Sequence, residues 1–327
     1  MDTATAPLID VHDLAMSFTR PRGIIDRLAG RPAGVVRALN GVSFQVKRGE
    51  TLGIVGESGC GKSTLARCLV RLNQPDAGRI DYGGVDVLAL QGADRRGYNR
   101  RVQMVFQDPY SSLNPRLTVR QALAEAIAFH HLRGGAAIGA RVVELLDLVR
   151  LPSDSADRYP HEFSGGQRQR IGIARALAVE PECLIADELV SALDVSVQAQ
   201  IVNLLLELQA RLNLTVLFIA HDLRLVRHIS HRVAVMYLGA IVELAETEVL
   251  FTKPAHPYTA ALLKAAPELD PGRRSVVDAV RGELPSPLAI PSGCPFHPRC
   301  PFVMDRCRVE RPLLRERAAG HIAACHL

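Results

Sequence analysis

Residues 56–63 have the composition and spacing of a loop that binds phosphate groups. They match the pattern G-x-x-x-x-G-K-[ST], in which glycines let backbone N–H groups face an anion at a helix N-terminus. Lys62 would supply a charge for the β- and γ-phosphates, Ser63 a hydroxyl for Mg²⁺, and Thr64 a contact to the α-phosphate. The predicted phosphate-binding residues are Gly56, Glu57, Ser58, Gly59, Cys60, Gly61, Lys62, Ser63 and Thr64.

Two carboxylates follow an apolar run later in the chain and could complete this chemistry. Residues 183–186 predict a buried strand, and Asp187 and Glu188 come directly after it. Taken alone, an Asp-Glu pair after a strand is more often part of a solvated loop. Together with the phosphate loop, the pair predicts that Asp187 holds Mg²⁺ through water. Glu188 is then predicted to polarise the water that attacks the γ-phosphate.

The flanking sequence predicts the elements that position these residues. Thr51–Val55 is a short apolar strand, and residues 63–72 carry leucines at helical spacing, so strand, loop and helix follow in the order that the motif requires. Residues 8–55 alternate apolar and polar, which predicts antiparallel strands. A turn-rich stretch then precedes two helical patterns, at residues 119–131 and 138–149, which indicate an inserted helical subdomain.

The composition of the 327 residues excludes a membrane-spanning protein. Hydrophobic residues make up 48% and charged residues 22%, which is ordinary for a globular chain of two domains. The most apolar stretch, residues 233–242, is about half of the roughly 18 to 20 residues that a span needs, and predicts a pair of core strands. The N-terminus lacks the pattern of a signal peptide, so we expect the protein to stay in the cytoplasm.

The net charge of +5 is small and spread along the chain, unlike the focused basic stripe of a nucleic-acid-binding protein. The densest basic cluster is therefore predicted to be a solvated or membrane-proximal face. Its members are Arg95, Arg96, Arg100 and Arg101.

A four-residue motif before a further helical pattern indicates how the phosphate loop is used. Together with that loop, Ser164-Gly165-Gly166-Gln167 resembles the ATP-binding-cassette (ABC) family, in which this signature caps the γ-phosphate bound by a partner. The resemblance implies that ATP is held between two cassettes and that its hydrolysis releases them. It also implies an α/β fold, the ABC cassette of P-loop NTPases, with a RecA-like core, an antiparallel β subdomain and an inserted helical subdomain.

The resemblance also gives roles to residues that are ambiguous alone. His221 follows a buried-strand pattern, where a histidine is usually a core residue, but the family places there a histidine that contacts the γ-phosphate. Gln107 resembles the glutamine that senses Mg²⁺ and γ-phosphate and links them to the membrane subunit. Asp194 belongs to a run, residues 191–194, that resembles the loop crossing the dimer interface. Phe18 is either an adenine-stacking aromatic or a core strand residue.

Longer runs resemble the ATPase subunits of dipeptide, oligopeptide and nickel importers over nearly the whole chain. By this resemblance the chain is one of two non-identical ATPase subunits that drive two membrane permeases from the cytoplasmic face of the plasma (inner) membrane. An external solute-binding protein supplies the cargo, which we expect to be peptide, with nickel and glutathione as alternatives. The runs are residues 106–116, 159–170, 191–198, 256–259 and 293–301.

Two other functions are compatible with the motifs. One is a soluble ABC ATPase that acts on nucleic acid or ribosomes. A single motif set, no sequence for a long coiled-coil arm and no focused basic face oppose it. The other is a cysteine-rich binding module that ATP hydrolysis regulates.

One position departs from the family pattern. Leu189 stands where the family usually has a proline after the Asp-Glu pair. A proline would stiffen this turn, whereas leucine leaves Glu188 less constrained. We expect a modest effect on turnover and none on nucleotide binding.

The chain becomes rich in Pro, Cys and Arg after residue 255. This predicts a nucleotide-binding domain at residues 1–255, with its helical subdomain at about 108–162, and a small Cys-rich extension at residues 256–327.

Four of the seven cysteines lie in this extension, separated by five, six and seventeen residues. Zinc sites favour closer pairs, so the spacing favours an iron–sulfur cluster over zinc, with unligated thiols or a disulfide as alternatives. The resembled subfamily can carry a [4Fe-4S] cluster here. His297 and His326 are either substitute ligands or loop residues. The predicted ligands are Cys294, Cys300, Cys307 and Cys325, whereas Cys60, Cys68 and Cys183 are predicted to be inert core thiols.

Overall fold

The computed structural model describes residues 6–19, 34–108, 113–191, 193–265 and 283–327. The strands are β1 (Pro7–Thr19), β2 (Val35–Lys47), β3 (Thr51–Val55), β4 (Ala77–Tyr82), β5 (Val85–Asp86), β6 (Val102–Val105), β7 (Cys183–Asp187), β8 (Thr215–Ile219), β9 (Arg232–Tyr237), β10 (Ala240–Glu246), β11 (Arg315–Ala318) and β12 (His321–Ala323).

Helices of five to eighteen residues alternate with these strands. None of the helices in the described ranges is both long enough and apolar enough to cross a bilayer. The α-helices are α1 (Lys62–Leu69), α2 (Gly92–Arg101), α3 (Val119–Phe129), α4 (Ala136–Leu148), α5 (Gly165–Leu177), α6 (Val195–Leu212), α7 (Leu223–Ile229), α8 (Thr247–Thr252), α9 (Pro257–Ala265) and α10 (Asp305–Val309).

The chain divides into two compact units. One, named here the helical unit, is formed mainly by Lys47–Thr51 and Ala89–Ala220. The other, the phosphate-loop unit, contains Pro7–Val46, Leu52–Leu88 and His221–Leu327.

The helical unit contains a parallel sheet edge and the inserted helices. Strands β6, β7 and β8 pair in parallel, with Val102 opposite Cys183 and Asp187 opposite Ile219. Every residue of β7 and β8 is buried, as expected for parallel strands covered on both faces. Helix α3 packs against α4, and both lie within two residues of the predicted helical patterns. The Thr118 hydroxyl caps α3 by accepting the N–H of Gln121.

The phosphate-loop unit contains two groups of strands. The first has the order β2-β1-β4-β5, and the β1–β4 and β4–β5 pairs are antiparallel. In the second, β3 pairs in parallel with β9, and β9, β10, β12 and β11 then follow as antiparallel neighbours. The hairpin of β9 and β10 confirms the pair of core strands predicted at residues 233–242.

A buried carboxylate joins the C-terminal strands of this unit to the chain that follows β10. Glu243 accepts the backbone N–H groups of Ala255 and His256 at 2.7 and 2.9 Å. The imidazole Nε2 of His321, in β12, lies 2.7 Å from the same carboxylate. Glu243 therefore links three segments of this unit, namely β10, β12 and the chain directly before α9.

His256, directly before α9, is itself buried and serves as an acceptor. Its Nδ1 accepts the backbone N–H of Tyr258 at 3.0 Å. Burial lowers the pKa of His256 to about 4, so the imidazole is neutral at physiological pH.

Candidate nucleotide site

The phosphate loop leads from β3 into α1 with a backbone that only glycine accommodates at two positions. Gly56 has a φ of +155°, and a Cβ built there would lie 2.3 Å from the carbonyl oxygen of Met236. Gly61 caps α1 with a φ of +107°, and its Cβ would lie 2.3 Å from the carbonyl oxygen of Ala38. These two glycines are therefore required by the neighbouring backbone, which leaves no room for a side chain.

Lys62 is folded into this loop. Its side chain is buried, at 4% exposure, and the ammonium donates to the carbonyl oxygens of Gly56 at 2.7 Å and Glu57 at 3.1 Å. The charge is thus held beside the backbone groups that are predicted to bind phosphate. Ser63 and Thr64, in the first turn of α1, are half-buried.

Two residues that the sequence did not single out contact Glu57 of this loop. Arg299 donates two hydrogen bonds to the Glu57 carboxylate, at 2.9 and 3.0 Å. The hydroxyl of Tyr258 accepts the backbone N–H of Glu57 at 3.0 Å. Both residues lie in runs that resemble the importer ATPases, at residues 256–259 and 293–301, but no local pattern connects them to a loop about 200 residues earlier in the chain.

The helical unit brings the predicted glutamine and water-polarising glutamate together. The amide nitrogen of Gln107 donates to the Glu188 carboxylate at 2.8 Å and lies 3.3 Å from the Ser191 hydroxyl. That hydroxyl in turn donates to the Glu188 carbonyl at 3.0 Å. Asp187 is buried at the end of β7. Residues 109–112 and Ala192, which belong to the runs around Gln107 and Asp194, lie outside the described residues.

Glu188 has a left-handed backbone, with a φ of +46°. Such a conformation is uncommon for a residue with a side chain and is kept only where the surroundings fix it. Here the N–H of Glu188 donates to Ile219 at 2.9 Å, and its carbonyl accepts the N–H of Ser191 at 3.1 Å. Leu189, the departure from the family pattern, is buried at 2% exposure.

The signature motif forms the N-terminus of α5. Ser164 and Gln167 form a capping box, in which the serine hydroxyl accepts the Gln167 N–H and the Gln167 side chain accepts the Ser164 N–H. Gly166 is packed closely, since a Cβ there would lie 2.4 Å from Val197. A helix N-terminus with Gly165 and Gly166 in its first turn suits an anion.

Three other predicted site residues occupy positions compatible with contact to a ligand. Phe18 lies on β1, and 42% of it is exposed. It is therefore not a core residue of this strand, which was the alternative to stacking on adenine. His221 is exposed after β8. Asp194 caps α6. The predicted site residues are divided between the two units. The phosphate-loop unit contains Phe18, residues 56–64 and His221. The helical unit contains Gln107, the signature motif, Asp187, Glu188 and Asp194.

The four C-terminal cysteines line one pocket together with His297 and His326. Burial raises the pKa of Cys294 to about 11, and it also raises the pKa of Cys300. The neighbouring cysteine side chains raise both values further. Within the described ranges, no group of three or more His, Cys, Asp or Glu side chains could hold a metal ion.

The three remaining cysteines are buried. Burial raises the pKa of Cys68 to about 11 and that of Cys183 to about 12, and it raises that of Cys60 as well. All three are therefore thiols at neutral pH, which agrees with the prediction of inert core residues.

Comparison with known proteins identifies the family. The ABC transporter family matches residues 39–191. A Sinorhizobium fredii protein named "Probable peptide ABC transporter ATP-binding protein y4tS" is 55% identical over 293 residues, covering 90% of this chain and 83% of that one. The oligopeptide transport ATP-binding protein AppF of Bacillus subtilis is 50% identical over 324 residues, covering 98% and 97%. This chain belongs to the ABC transporter family.

Its C-terminal part also has a match, since residues 242–307 match the C-terminal region of oligopeptide/dipeptide transporters. Solved structures agree on the fold of this ABC protein. A dimeric ATP-binding cassette bound to ADP and phosphate has a TM-score of 0.64 and 26% identity, covering 73% of this chain and 98% of that one. CbiO1 of Clostridium perfringens, part of an ABC transporter complex, has a TM-score of 0.63 and 26% identity, covering 76% and 91%. The predicted ABC cassette fold and ATPase activity are confirmed. The relatives are transport proteins, which supports transport and not the nucleic-acid or ribosome alternative.

Two substitutions should separate ATP binding from ATP hydrolysis. Lys62→Ala removes the loop's ammonium and should abolish ATP binding, measured by equilibrium dialysis, whereas Lys253→Ala, at an exposed lysine, should not. Glu188→Gln keeps the shape of the side chain but removes its charge, so ATP binding should persist while hydrolysis stops. A dimer that persists with ATP on size exclusion is expected. Normal hydrolysis by Glu188→Gln would show that its assigned role is wrong.

The Leu189→Pro variant tests the departure from the family. Proline restricts the backbone of the turn, so we expect the ATPase turnover to change by about two- to fivefold, as for a loop constraint of about 0.4–1 kcal/mol. The dissociation constant for ATP should stay the same, because Leu189 lies outside the phosphate loop. Equal turnover in the two proteins would contradict the expectation.

Proposed function

We propose that this ABC ATPase powers the import of di- and oligopeptides. The observation that carries the proposal is the match of residues 242–307 to the C-terminal region of oligopeptide/dipeptide transporters. The names of the two relatives, a peptide and an oligopeptide transport protein, support the same cargo. Nickel and glutathione are less favoured.

The proposed assembly contains two non-identical ATPase subunits and two membrane permeases. An extracytoplasmic solute-binding protein delivers the peptide to the permeases, and this chain lies on the cytoplasmic face of the plasma (inner) membrane as a peripheral protein. Within the chain, residues 1–255 form the nucleotide-binding domain, with the helical subdomain at about 108–162. Residues 256–327 form the Cys-rich extension.

In the proposed site the backbone of residues 56–61 and the ammonium of Lys62 bind the triphosphate, and Phe18 stacks on the adenine. Ser63, Asp187 and Gln107 offer a hydroxyl, a carboxylate and an amide oxygen, which are the hard donors that Mg²⁺ prefers. A bound Mg²⁺ would offset the negative charge of the phosphates.

Glu188 polarises the attacking water in this proposal, and His221 contacts the γ-phosphate. The hydrogen bond from Gln107 to Glu188 supports a link between the residue that senses the γ-phosphate and the residue that activates water. Breaking that bond when Gln107 turns to the nucleotide would free the Glu188 carboxylate to accept a proton from water.

The signature motif of this chain would contact ATP bound in the phosphate loop of the other cassette. Its capping box fixes the start of α5, so that the helix N-terminus is ready for the γ-phosphate. Asp194 and its neighbours would cross the interface between the cassettes. ATP then joins the two subunits, and hydrolysis releases them, which moves the permeases.

For the extension we propose a [4Fe-4S] cluster held by Cys294, Cys300, Cys307 and Cys325. The donor set fits, because all four thiols line one pocket. The preference for a cluster over zinc rests on the spacing of five, six and seventeen residues along the chain, which lacks the close cysteine pairs that zinc sites favour. Its role would be structural, to stabilise a small segment with little core.

Peptide uptake tests the transport proposal. A strain without this chain should lose the uptake of labelled di- and oligopeptides and keep that of nickel and glutathione. The wild-type chain should restore uptake and co-purify with its permeases, whereas Glu188→Gln should co-purify without restoring uptake. Loss of nickel or glutathione uptake with intact peptide uptake would contradict the assigned cargo.

Metal analysis tests the cluster. Protein purified without oxygen should contain about four iron and four sulfide per chain. The Cys300→Ser variant should contain less of both, while Cys68→Ser, at a core thiol outside the pocket, should keep the full content. Zinc in place of iron would show that the assignment is wrong.

A further inference from the structure

The C-terminal segment contacts the phosphate loop through an ion pair that is shielded from water. Arg299 binds both oxygens of the Glu57 carboxylate, and the arginine side chain is 6% exposed and the glutamate side chain 24%. A bidentate pair between a planar guanidinium and a carboxylate fixes the geometry as well as the charge of both groups. Glu57 is the second residue of the phosphate loop, so the pair acts on the loop itself.

Glu57 is fixed at its backbone as well as at its side chain. Its N–H donates to the Tyr258 hydroxyl at 3.0 Å, so this amide points away from a ligand. Its carbonyl accepts the Lys62 ammonium at 3.1 Å. The conformation at Glu57 therefore sets where the ammonium of Lys62 lies, and two C-terminal residues hold that conformation.

The charge of Glu57 also bears on nucleotide binding. A carboxylate in a phosphate loop repels an incoming triphosphate, because like charges at close range disfavour each other. Arg299 offsets this charge through two hydrogen bonds to the Glu57 carboxylate, and its Nη1 also lies 3.5 Å from the Tyr237 hydroxyl.

A buried aromatic cluster connects this pair to the cysteine-bearing segment. Phe296 lies 5.4 Å, between ring centroids, from both Tyr237 and Tyr258. Arg299 ends the tight turn His297–Arg299, whose first N–H is bonded to the carbonyl of Cys294. All three rings are almost fully buried, so Phe296 packs the turn against Tyr258, which accepts the N–H of Glu57 in the loop.

We propose that Arg299 and Tyr258 are positioning residues of the phosphate loop, and that the C-terminal segment thereby sets the affinity for ATP. The inference rests on the proposed nucleotide site, in which Lys62 binds the phosphates. In this inference Arg299 and Tyr258 contribute to ATP binding but take no part in ATP hydrolysis.

The first test measures the dissociation constant of the purified full-length chain for trinitrophenyl-ATP. Arg299→Met should raise it by about tenfold, because the Glu57 carboxylate is left unpaired. Adding Glu57→Gln should return it to within about threefold of wild type, since the repelling charge is gone. Arg227→Met removes a comparable but exposed ion pair with Glu248 and should change nothing. In ATPase assays the KM of Arg299→Met should rise while kcat stays within about threefold.

Milder variants keep the test decisive if Arg299→Met does not fold. Arg299→Lys retains the charge but loses the fork, and Tyr258→Phe removes one hydroxyl, so each should weaken binding by about threefold. The inference is wrong if both bind within about 1.5-fold of wild type, or if Glu57→Gln fails to restore binding to Arg299→Met. Unchanged binding by Lys62→Ala would instead show that the nucleotide site itself is wrong.

Discussion

The backbone path of the phosphate loop is the constraint on which the rest of the site depends. The loop passes so close to the carbonyl groups of Met236 and Ala38 that no side chain fits at Gly56 or Gly61. Within this loop the Lys62 ammonium donates to the carbonyl oxygens of Gly56 and Glu57. Strand β9, which provides Met236, and strand β2, which provides Ala38, therefore shape the loop by steric contact.

Local patterns in the sequence predicted the elements that build the site. The order of strand, glycine loop and helix around residues 51–69 was confirmed, as were the helices at 119–129 and 136–148. These succeeded because periodicity, capping and turn chemistry act over a few residues. The capping box of Ser164 and Gln167 is of the same kind, since both members lie within one turn of helix.

Contacts between segments that are far apart in the chain could not be predicted from local sequence patterns. Arg299 and Glu57 are separated by 242 positions, and the sequence around either residue gives no indication that the two are in contact. The exposure of Phe18 could not be predicted either, because the alternation along β1 does not show which face of the sheet a residue near the end of the strand occupies. The left-handed backbone of Glu188 is likewise fixed by bonds to Ile219 and Ser191, and only the second of these is local.

The buried imidazole of His256 makes the junction before α9 sensitive to acid. Its pKa of about 4 lies below the ordinary value of 6.5, so folding favours the neutral ring. Because the unfolded chain would bind a proton on this ring at a higher pH than the folded chain, stability is complete above pH 6.5 and is lost as the pH falls towards 4, by about 3 kcal/mol in all. Protonation of this ring below about pH 6.5 would therefore weaken the segment between β10 and α9, where His256 lies.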